Sequence, residues 1–575
     1  MLTAVAEYPA PLAQPQPQER PVSIGSLFGW LTPGHNGRGV IFCGTWGYEQ
    51  HCAHRPWREL ARRIAATGCT TLRFDYPGSG DSGDDTLEHE GPWTKAIRHA
   101  VRYLRAVAAV DEVVLVGLRL GGTLAVLVAD DEPIDRMILL APFATGKALI
   151  REATLQARMI DVLPDGSPMP ATAGAVTAGG FALAPTVLTE IAGIDLMRRD
   201  HRPATHILLM GQDRGTLADR YRDLGATITT LPFPDLAHLC ANALESRFSE
   251  ATLATVAEHV ARGLPSNRMP SFASRSPSEA RIEGPHGFEE PVRFGPGVVG
   301  VECHPLVKPR DPVVLFLNMG LDVHSGPGRQ TTQLARRLAG AGLRSLRMDL
   351  RGAGDSPDRP DGRLPLYDLA ALDDVRAAVD HIATRWGGPI IVAGTCNGAY
   401  LALHAICRDH RIAGAVLVNL YCFDWDLAHG GAPYSATAAR SIATYLSLAG
   451  HGPAWRRVLG GRTPVLKIIR TLMRRLRDDM RRRFAAAFTR DRRAVRLPDR
   501  IAAVRRRGAQ LALLYSAGDL GLTDLHVRFG RAPARLEKTF GRPVRIVPGV
   551  DHAFNAMPAR EALYETLIDV SARLS

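Results

Sequence analysis

The chain has no apolar run near the roughly 18 uninterrupted residues that a bilayer-spanning helix needs, so no transmembrane segment is expected. Its opening stretch, MLTAVAEYPAPLAQPQPQER, lacks a basic start and a long apolar core, so it does not read as a signal peptide. The Pro/Gln bias there reads as a disordered tail over 1–22. The eight cysteines are scattered, with no CxxC pair and no histidine cluster at metal-ligand spacing. That pattern predicts no metal and no other cofactor. Reduced thiols and a cytoplasmic location are the simplest reading.

What the chain does have is length and a repeat. Its 575 residues, 46% of them hydrophobic, supply enough apolar material for two cores. Residues 68–84 read GCTTLRFDYPGSGDSGD and residues 342–358 read GLRSLRMDLRGAGDSPD, with LRxD and GxGDS in register. Further along, VVLVGLRLGGTLAVLVA matches IIVAGTCNGAYLALHAI, and IDRMILLAP matches IAGAVLVNL. HILLMGQD then matches LALLYSAGD, and TTLPFPDLAHLCANA matches VRIVPGVDHAFNA. Strands alternate with helical stretches throughout, as a mostly parallel sheet covered by helices on both faces requires. The spacing between copies grows before the last two blocks, so the second copy carries an insertion there. The expected division is a first domain over 23–263, a Ser/Pro/Arg-rich linker over 264–283 and a second domain over 284–575.

Both copies contain a strand, a G-x-Nuc-x-G turn and a helix, the pattern of a nucleophile elbow. The turn is tight enough that only small residues fit two places before and after its centre. Gly394 and Gly398 flank Cys396; Gly117 and Gly121 flank Arg119. The architecture is therefore two tandem α/β-hydrolase domains. Only the second has a nucleophile. A thiol becomes a strong nucleophile when a base takes its proton, and His552, in PGVDHAFN after the last strand, stands where the fold carries its histidine. The acid follows the preceding strand: Asp519 ends that strand's block, and Asp524, five residues on, is its rival. An oxyanion hole would use the backbone N–H of Asn397 and one from Asn318–Met319–Gly320, with Met319 the candidate.

The first copy keeps the acid and base positions as Asp213 and His238, but its elbow holds Arg119. A guanidinium stays protonated and cannot attack a carbonyl, so this copy is read as catalytically degenerate. Arg119 either pairs with Asp213 or another carboxylate, or binds an anion at the helix N-terminus. Cys240 lies off the elbow, and Ser79 and Ser82 lie on the GxGDS loop, which is structural in this fold.

At these residues the second copy, with MGLDVHSGPGRQ and GTCNGAY, resembles the exosortase A system-associated hydrolase 1 type. The first copy, with GLRLGGTLA, resembles the companion hydrolase 2 type, which also carries Arg at the elbow. The resemblance implies a setting in exopolysaccharide or envelope biogenesis. More distantly, the Cys elbow is similar to those of polyhydroxyalkanoate synthases and dienelactone hydrolases.

The net charge of +12 comes from one segment. Between Arg456 and Arg507 the chain has 18 Arg and one Lys against four Asp, which leaves the rest near −3. The segment falls where this fold inserts a lid, expected over about 424–507. Thr463 and Pro464 suit a helix start. Leu466, Ile469, Met473, Leu476, Met480, Phe484 and Phe488 then recur at steps of three and four. Arg470, Arg474, Arg477, Arg481 and Arg482 fall largely off that stripe. The segment is either a lid helix with a solvated face, or a basic surface for an acyl carrier protein, the phosphates of CoA or an anionic membrane surface. No nucleic-acid partner is expected, because no aromatics interleave the arginines for base stacking.

The expected function is acyl transfer, or ester or thioester hydrolysis, on a small acyl substrate through Cys396, His552 and Asp519, with the first copy non-catalytic. The alternative is a scaffold or anionic-ligand-binding protein built from two hydrolase-like domains.

Overall fold

The computed structural model describes residues 19–84, 91–108, 110–170, 174–183, 185–211, 216–264, 280–423 and 497–574. The repeat is a repeat of sheets. The first sheet runs Arg20–Ile24, Leu27–Thr32, Thr70–Phe74, Arg38–Cys43, Glu112–Leu118, Arg136–Leu140, His206–Met210 and Thr227–Leu231 across its width. The second places its counterparts in the same order, from Gly287–Phe294 to Arg545–Val547, and adds Ile282–Gly284 at the outer edge. In each sheet the strands at the start of the copy pair antiparallel and the rest pair parallel. The central strands are apolar runs buried along their length, such as Val313–Leu317, because helices cover both faces. Each sheet accordingly carries one buried cluster on each face.

The expected boundaries shift slightly. The first strand begins at Arg20, and Glu19 is buried against Arg73 at 2.6 Å, so the ordered first copy starts before residue 23. Ala280 and Ile282, expected in the linker, are buried with Phe28, Trp30 and Val299. The helix Leu497–Arg506, expected at the end of the lid, belongs to the body: its Leu497, Ile501 and Val504 pack into the second core. The remainder of the expected lid, including the apolar stripe and the arginines named on its other face, lies outside the described residues. Among the described residues, no helix is long and apolar enough to cross a membrane.

The two copies meet through their GxGDS loops. The serines do what a structural loop needs: Ser82 Oγ accepts from Phe28 N at 2.9 Å and donates to Asp75 O at 2.7 Å, and Ser356 makes the matching bonds to Val299 and Asp349. The aspartates instead reach across. Asp81 meets His324 at 2.6 Å and Arg347 at 3.0 Å, while Asp355 meets His54 at 3.1 Å and Arg73 at 3.0 Å. Arg73 and Arg347 occupy the same repeat position, so the contact is close to two-fold symmetric, like an isologous dimer interface within one chain. His324 also bonds Asp349 at 2.7 Å. Burial opposes its charged form, but the two carboxylates raise its pKa well above the ordinary histidine value.

Candidate active site

The strand Ile390–Thr395 runs straight into the helix Asn397–Ile406, and Cys396 is the turn between them, with φ 55° and ψ −109°. A non-glycine residue with positive φ is strained by about 1–3 kcal/mol and persists only where its surroundings hold it. Here Cys396 N donates to Val418 O at 3.0 Å. A Cβ on Gly394 would lie 2.4 Å from Gly398 C, and one on Gly398 would lie 2.7 Å from Asn318 O. The turn therefore admits only glycine at both places, and the sulfur is carried to the end of the sheet, partly exposed.

Three side chains meet around this sulfur. His552 stands close enough to Cys396 for the sulfur to favour its charged ring, and its Nδ1 lies 2.6 Å from Asp519 Oδ2. Asp519 is 3% exposed; its other oxygen accepts from Gly521 N at 2.8 Å, so it caps the helix Leu520–Phe529 while facing the imidazole. Burial disfavours the charged imidazole, yet Cys396 and Asp519 together outweigh it and hold the His552 pKa well above the usual value. The ring is 39% exposed, so solvent softens this pairing. Asp524, the rival acid, is engaged elsewhere: it accepts from Phe423 N at 3.0 Å and pairs with Arg528 at 2.9 Å.

The third side chain escaped the sequence reading. Tyr367 Oη lies 3.1 Å from Cys396 Sγ. Tyr367 also has a positive φ, 52°, and it is held there by Asn397, whose Oδ1 accepts from Tyr367 N at 2.6 Å and whose Nδ2 donates to Pro365 O at 3.0 Å. Its ring packs on Tyr400 and Tyr421. Nothing in the local sequence marks it; only the asparagine beside the elbow cysteine, a buried polar residue needing partners, hints that a loop is gripped there.

Asn397 follows the elbow cysteine, and neither its N–H nor that of Met319 has a backbone partner outside regular elements among the described residues. Asn397 N is at the first position of its helix, where no intrahelical acceptor exists. The Asn318 side chain holds the neighbouring loop through Asp322 O at 2.7 Å, Asp349 at 2.8 Å and Leu350 N at 2.8 Å.

In the first copy Arg119 repeats the elbow, with φ 54° and ψ −117°. Its guanidinium pairs with Glu49 at 3.1 Å and with Glu152, and lies 4.2 Å from the Phe143 ring centroid. Both partners are carboxylates other than Asp213, which lies outside the described residues. With two carboxylates already on it, the side chain has little left for an incoming anion. His238 is exposed, and burial pushes the Cys240 thiol far up.

Two sets of side chains converge as metal ligands do: Glu290, Glu302 and His304, and His324, Asp349 and Asp355. Both already pair with protein side chains, Arg385 and His381 in one and Arg73 and His54 in the other. A cavity lies between the copies against Trp46, Tyr76, Trp93, Phe181, Val323 and Ser325; neither Cys396 nor Arg119 lines it.

Residues 40–268 match the family model described as "Alpha/beta hydrolase family", and residues 309–487 match "Serine aminopeptidase, S33". The chain is two α/β-hydrolase domains in tandem. Among solved structures, it is similar to an alpha-beta serine hydrolase homologue from Coxiella burnetii at 14% identity, covering 52% of this chain and 100% of that one, with a TM-score of 0.27. It is also similar to Est1E from Butyrivibrio proteoclasticus with ferulic acid bound, at 19% identity, 42% and 96% coverage and a TM-score of 0.30. A thermostable esterase from Pseudomonas putida ECU1011 matches at 15% identity, 50% and 82% coverage and a TM-score of 0.30. No curated protein is similar to the chain in sequence. The second model is named for serine enzymes; in this α/β-hydrolase tandem the corresponding elbow carries Cys396.

Proposed function

We propose that the second domain cleaves or transfers acyl groups through a thioester on Cys396. The observation that carries this reading is the chain of contacts from Asp519 through His552 to Cys396, on an elbow strained into position. Cys396 attacks the carbonyl of a small ester or thioester, and His552, having taken the thiol proton, returns it to the leaving group. The C–O or C–S bond of the substrate breaks as the acyl–sulfur bond forms. Water, or an alcohol, amine or thiol acceptor, then attacks the acyl-enzyme with His552 as base. Asp519 holds the imidazole tautomer, and the N–H groups of Asn397 and Met319 receive the developing oxyanion. A sulfur nucleophile exchanges with thioesters at little cost, which favours donors such as acyl-CoA or an acyl carrier protein. The likeness of GTCNGAY and GLRLGGTLA to the exosortase-associated hydrolases supports a substrate from envelope biogenesis. The first domain, with Arg119 in place of a nucleophile, does no acyl chemistry.

The test is to trap the intermediate. Wild-type protein quenched in acid during turnover of a short-chain acyl thioester is expected to carry an acyl group on Cys396, seen as a mass increase on the peptide containing that residue. Equal modification across all eight cysteines, or none on Cys396, refutes the reading.

In the same mechanism the Tyr367 hydroxyl stays protonated and hydrogen-bonds the thiolate, both before attack and as the sulfur leaves the acyl group. A hydrogen bond to a charged group contributes about 1.5–3 kcal/mol, so Tyr367→Phe is expected to lower kcat/KM by about 10- to 100-fold. The ring and its contacts with Tyr400 and Tyr421 remain, so thermal unfolding should barely move. Unchanged kcat/KM in a folded Phe variant leaves Tyr367 with packing alone.

A further inference from the structure

A domain without a nucleophile that is nevertheless bound across a buried ionic interface invites the question of what it does for its partner. A hairpin of its own reaches over. The strands Val176–Ala178 and Phe181–Leu183 pair across a two-residue turn, Gly179–Gly180, with φ of 58° and 84°. Both residues must be glycine-like for such a hairpin turn. Gly179 N donates to Asp161 Oδ1 at 2.8 Å, which ties the tip to the segment after the helix Gly146–Ile160. The two carbonyls at the tip leave the first domain altogether. Gly179 O accepts from Asn555 Nδ2 at 3.4 Å, and Gly180 O accepts from Arg560 Nη2 at 3.2 Å.

Those acceptors land beside the catalytic loops of the second domain. Asn555 is three residues beyond His552; its N–H donates to Asp551 Oδ1 at 2.8 Å, and its carbonyl accepts from Arg560 Nε at 2.7 Å. Arg560 also reaches Gly328 O at 3.1 Å and Gln333 Oε1 at 2.6 Å, so one guanidinium joins the hairpin tip, the histidine loop and the loop at Gly328. Packing there is close: a Cβ on Gly180 would lie 2.8 Å from Asn555 Cγ, and one on Gly328 would lie 2.7 Å from Gly180 O. Beside the acid, a Cβ on Gly518 would lie 3.7 Å from Pro164. The first domain thus touches the loop of His552 and comes near that of Asp519. Burial raises the Asp161 carboxyl above its usual range, with Asp551 adding to it, as expected where the two domains bring like charges together.

We infer that the first domain braces the histidine loop of the second, with the Gly179–Gly180 tip acting through the positioning residues Asn555 and Arg560. The need is physical. The His552 ring is 39% exposed, so its own packing cannot fix it. Beside its bond to Asp519, what places it is the backbone of a short loop, held through His552 O by Asn419 at 2.7 Å, through Ala553 O by Gln330 at 2.9 Å, and at Asn555 by the clamp just described. Misplacement of a catalytic group by about 1 Å costs on the order of 100-fold in rate. This inference rests on Cys396–His552 chemistry and gives the degenerate domain a role in it.

The experiment uses the full chain with Gly180→Ala, Asn555→Ala, Arg560→Ala and Arg560→Lys, measured against wild type and His552→Ala. Two readouts are taken: turnover of a small neutral thioester, and the rate at which iodoacetamide alkylates Cys396 at neutral pH. Gly180→Ala and Arg560→Ala are expected to lower kcat by about tenfold with KM unmoved, and to slow alkylation toward the His552→Ala rate. Asn555→Ala should do the same to a smaller degree, and Arg560→Lys should recover part of the loss. Asn555→Ala removes one side-chain contact and keeps the backbone bonds, so it reports even where Gly180→Ala fails to fold. Wild-type alkylation no faster than that of His552→Ala means the Cys–His reading itself has failed. A fast wild type with equally fast Asn555→Ala and Arg560→Ala overturns the brace alone, and so does a rise in KM with kcat untouched, because the hairpin would then be a wall of the substrate site.

Discussion

Cys396→Ala is expected to remove turnover almost entirely, by about 10⁵-fold or more in kcat, since a nucleophile acting as a unit with its base takes the whole covalent route with it. The backbone should not suffer. Alanine has the same Cβ at the strained turn, and the flanking Gly394 and Gly398 are untouched. Cys396→Ser should be crippled as well, because an alcohol needs far stronger base assistance than a thiol and the imidazole is matched to sulfur here. Arg119→Ala is the control that gives this result its meaning. It removes a cation from Glu49 and Glu152, of which Glu49 is only 12% exposed, so it should cost stability on the order of 3 kcal/mol. The chemical step at Cys396 should run at the wild-type rate. Steady-state kcat at saturating substrate, with folded fractions checked by thermal melts, separates the two. Equal loss of kcat in both folded variants would mean that the first domain is not silent.

The repeat made the fold legible. Two copies of LRxD–GxGDS and two glycine-flanked turns locate the repeated strands and the elbows, because those features depend on local geometry that few residues satisfy. Cys396, His552 and Asp519 could be named as candidates because each stands at the end of a strand block. What the sequence could not disclose depends on contacts far apart in the chain. Asp81 and Asp355 read as loop residues, yet each pairs with a histidine and an arginine of the other copy. Tyr367 sits in an irregular segment 29 residues before Cys396 and reaches the sulfur only because Asn397 grips its backbone. Arg119 could be expected to find carboxylates, but Glu49 and Glu152 come from two separate helices, Gly47–Ala65 and Gly146–Ile160, which no periodicity aligns.

The choice between Asp519 and Asp524 yields the second large effect. Asp519→Asn is expected to lower kcat by about 10⁴-fold, the loss seen when a buried triad carboxylate becomes an amide and the imidazole is held in the wrong tautomer. The geometry makes Asp519 vulnerable in this way. Its Oδ2 is 2.6 Å from His552 Nδ1, and its Oδ1 is taken by Gly521 N at 2.8 Å. An asparagine keeps the cap with its carbonyl oxygen and then points its amide N–H groups at the imidazole. His552 must accept there, its proton moves to the nitrogen facing Cys396, and it can no longer take the thiol proton. Asp524→Asn has no such route. Its carboxylate faces Phe423 N and Arg528, one bond an amide oxygen can still accept and one surface pair contributing about 0–1 kcal/mol. Its kcat should stay close to wild type. Measuring kcat for both variants on one thioester, together with the pH–rate profile, decides it: the Asp519 variant should show low turnover at every pH, because a wrong tautomer is not corrected by titration. A deeper loss in Asp524→Asn than in Asp519→Asn would move the acid to residue 524.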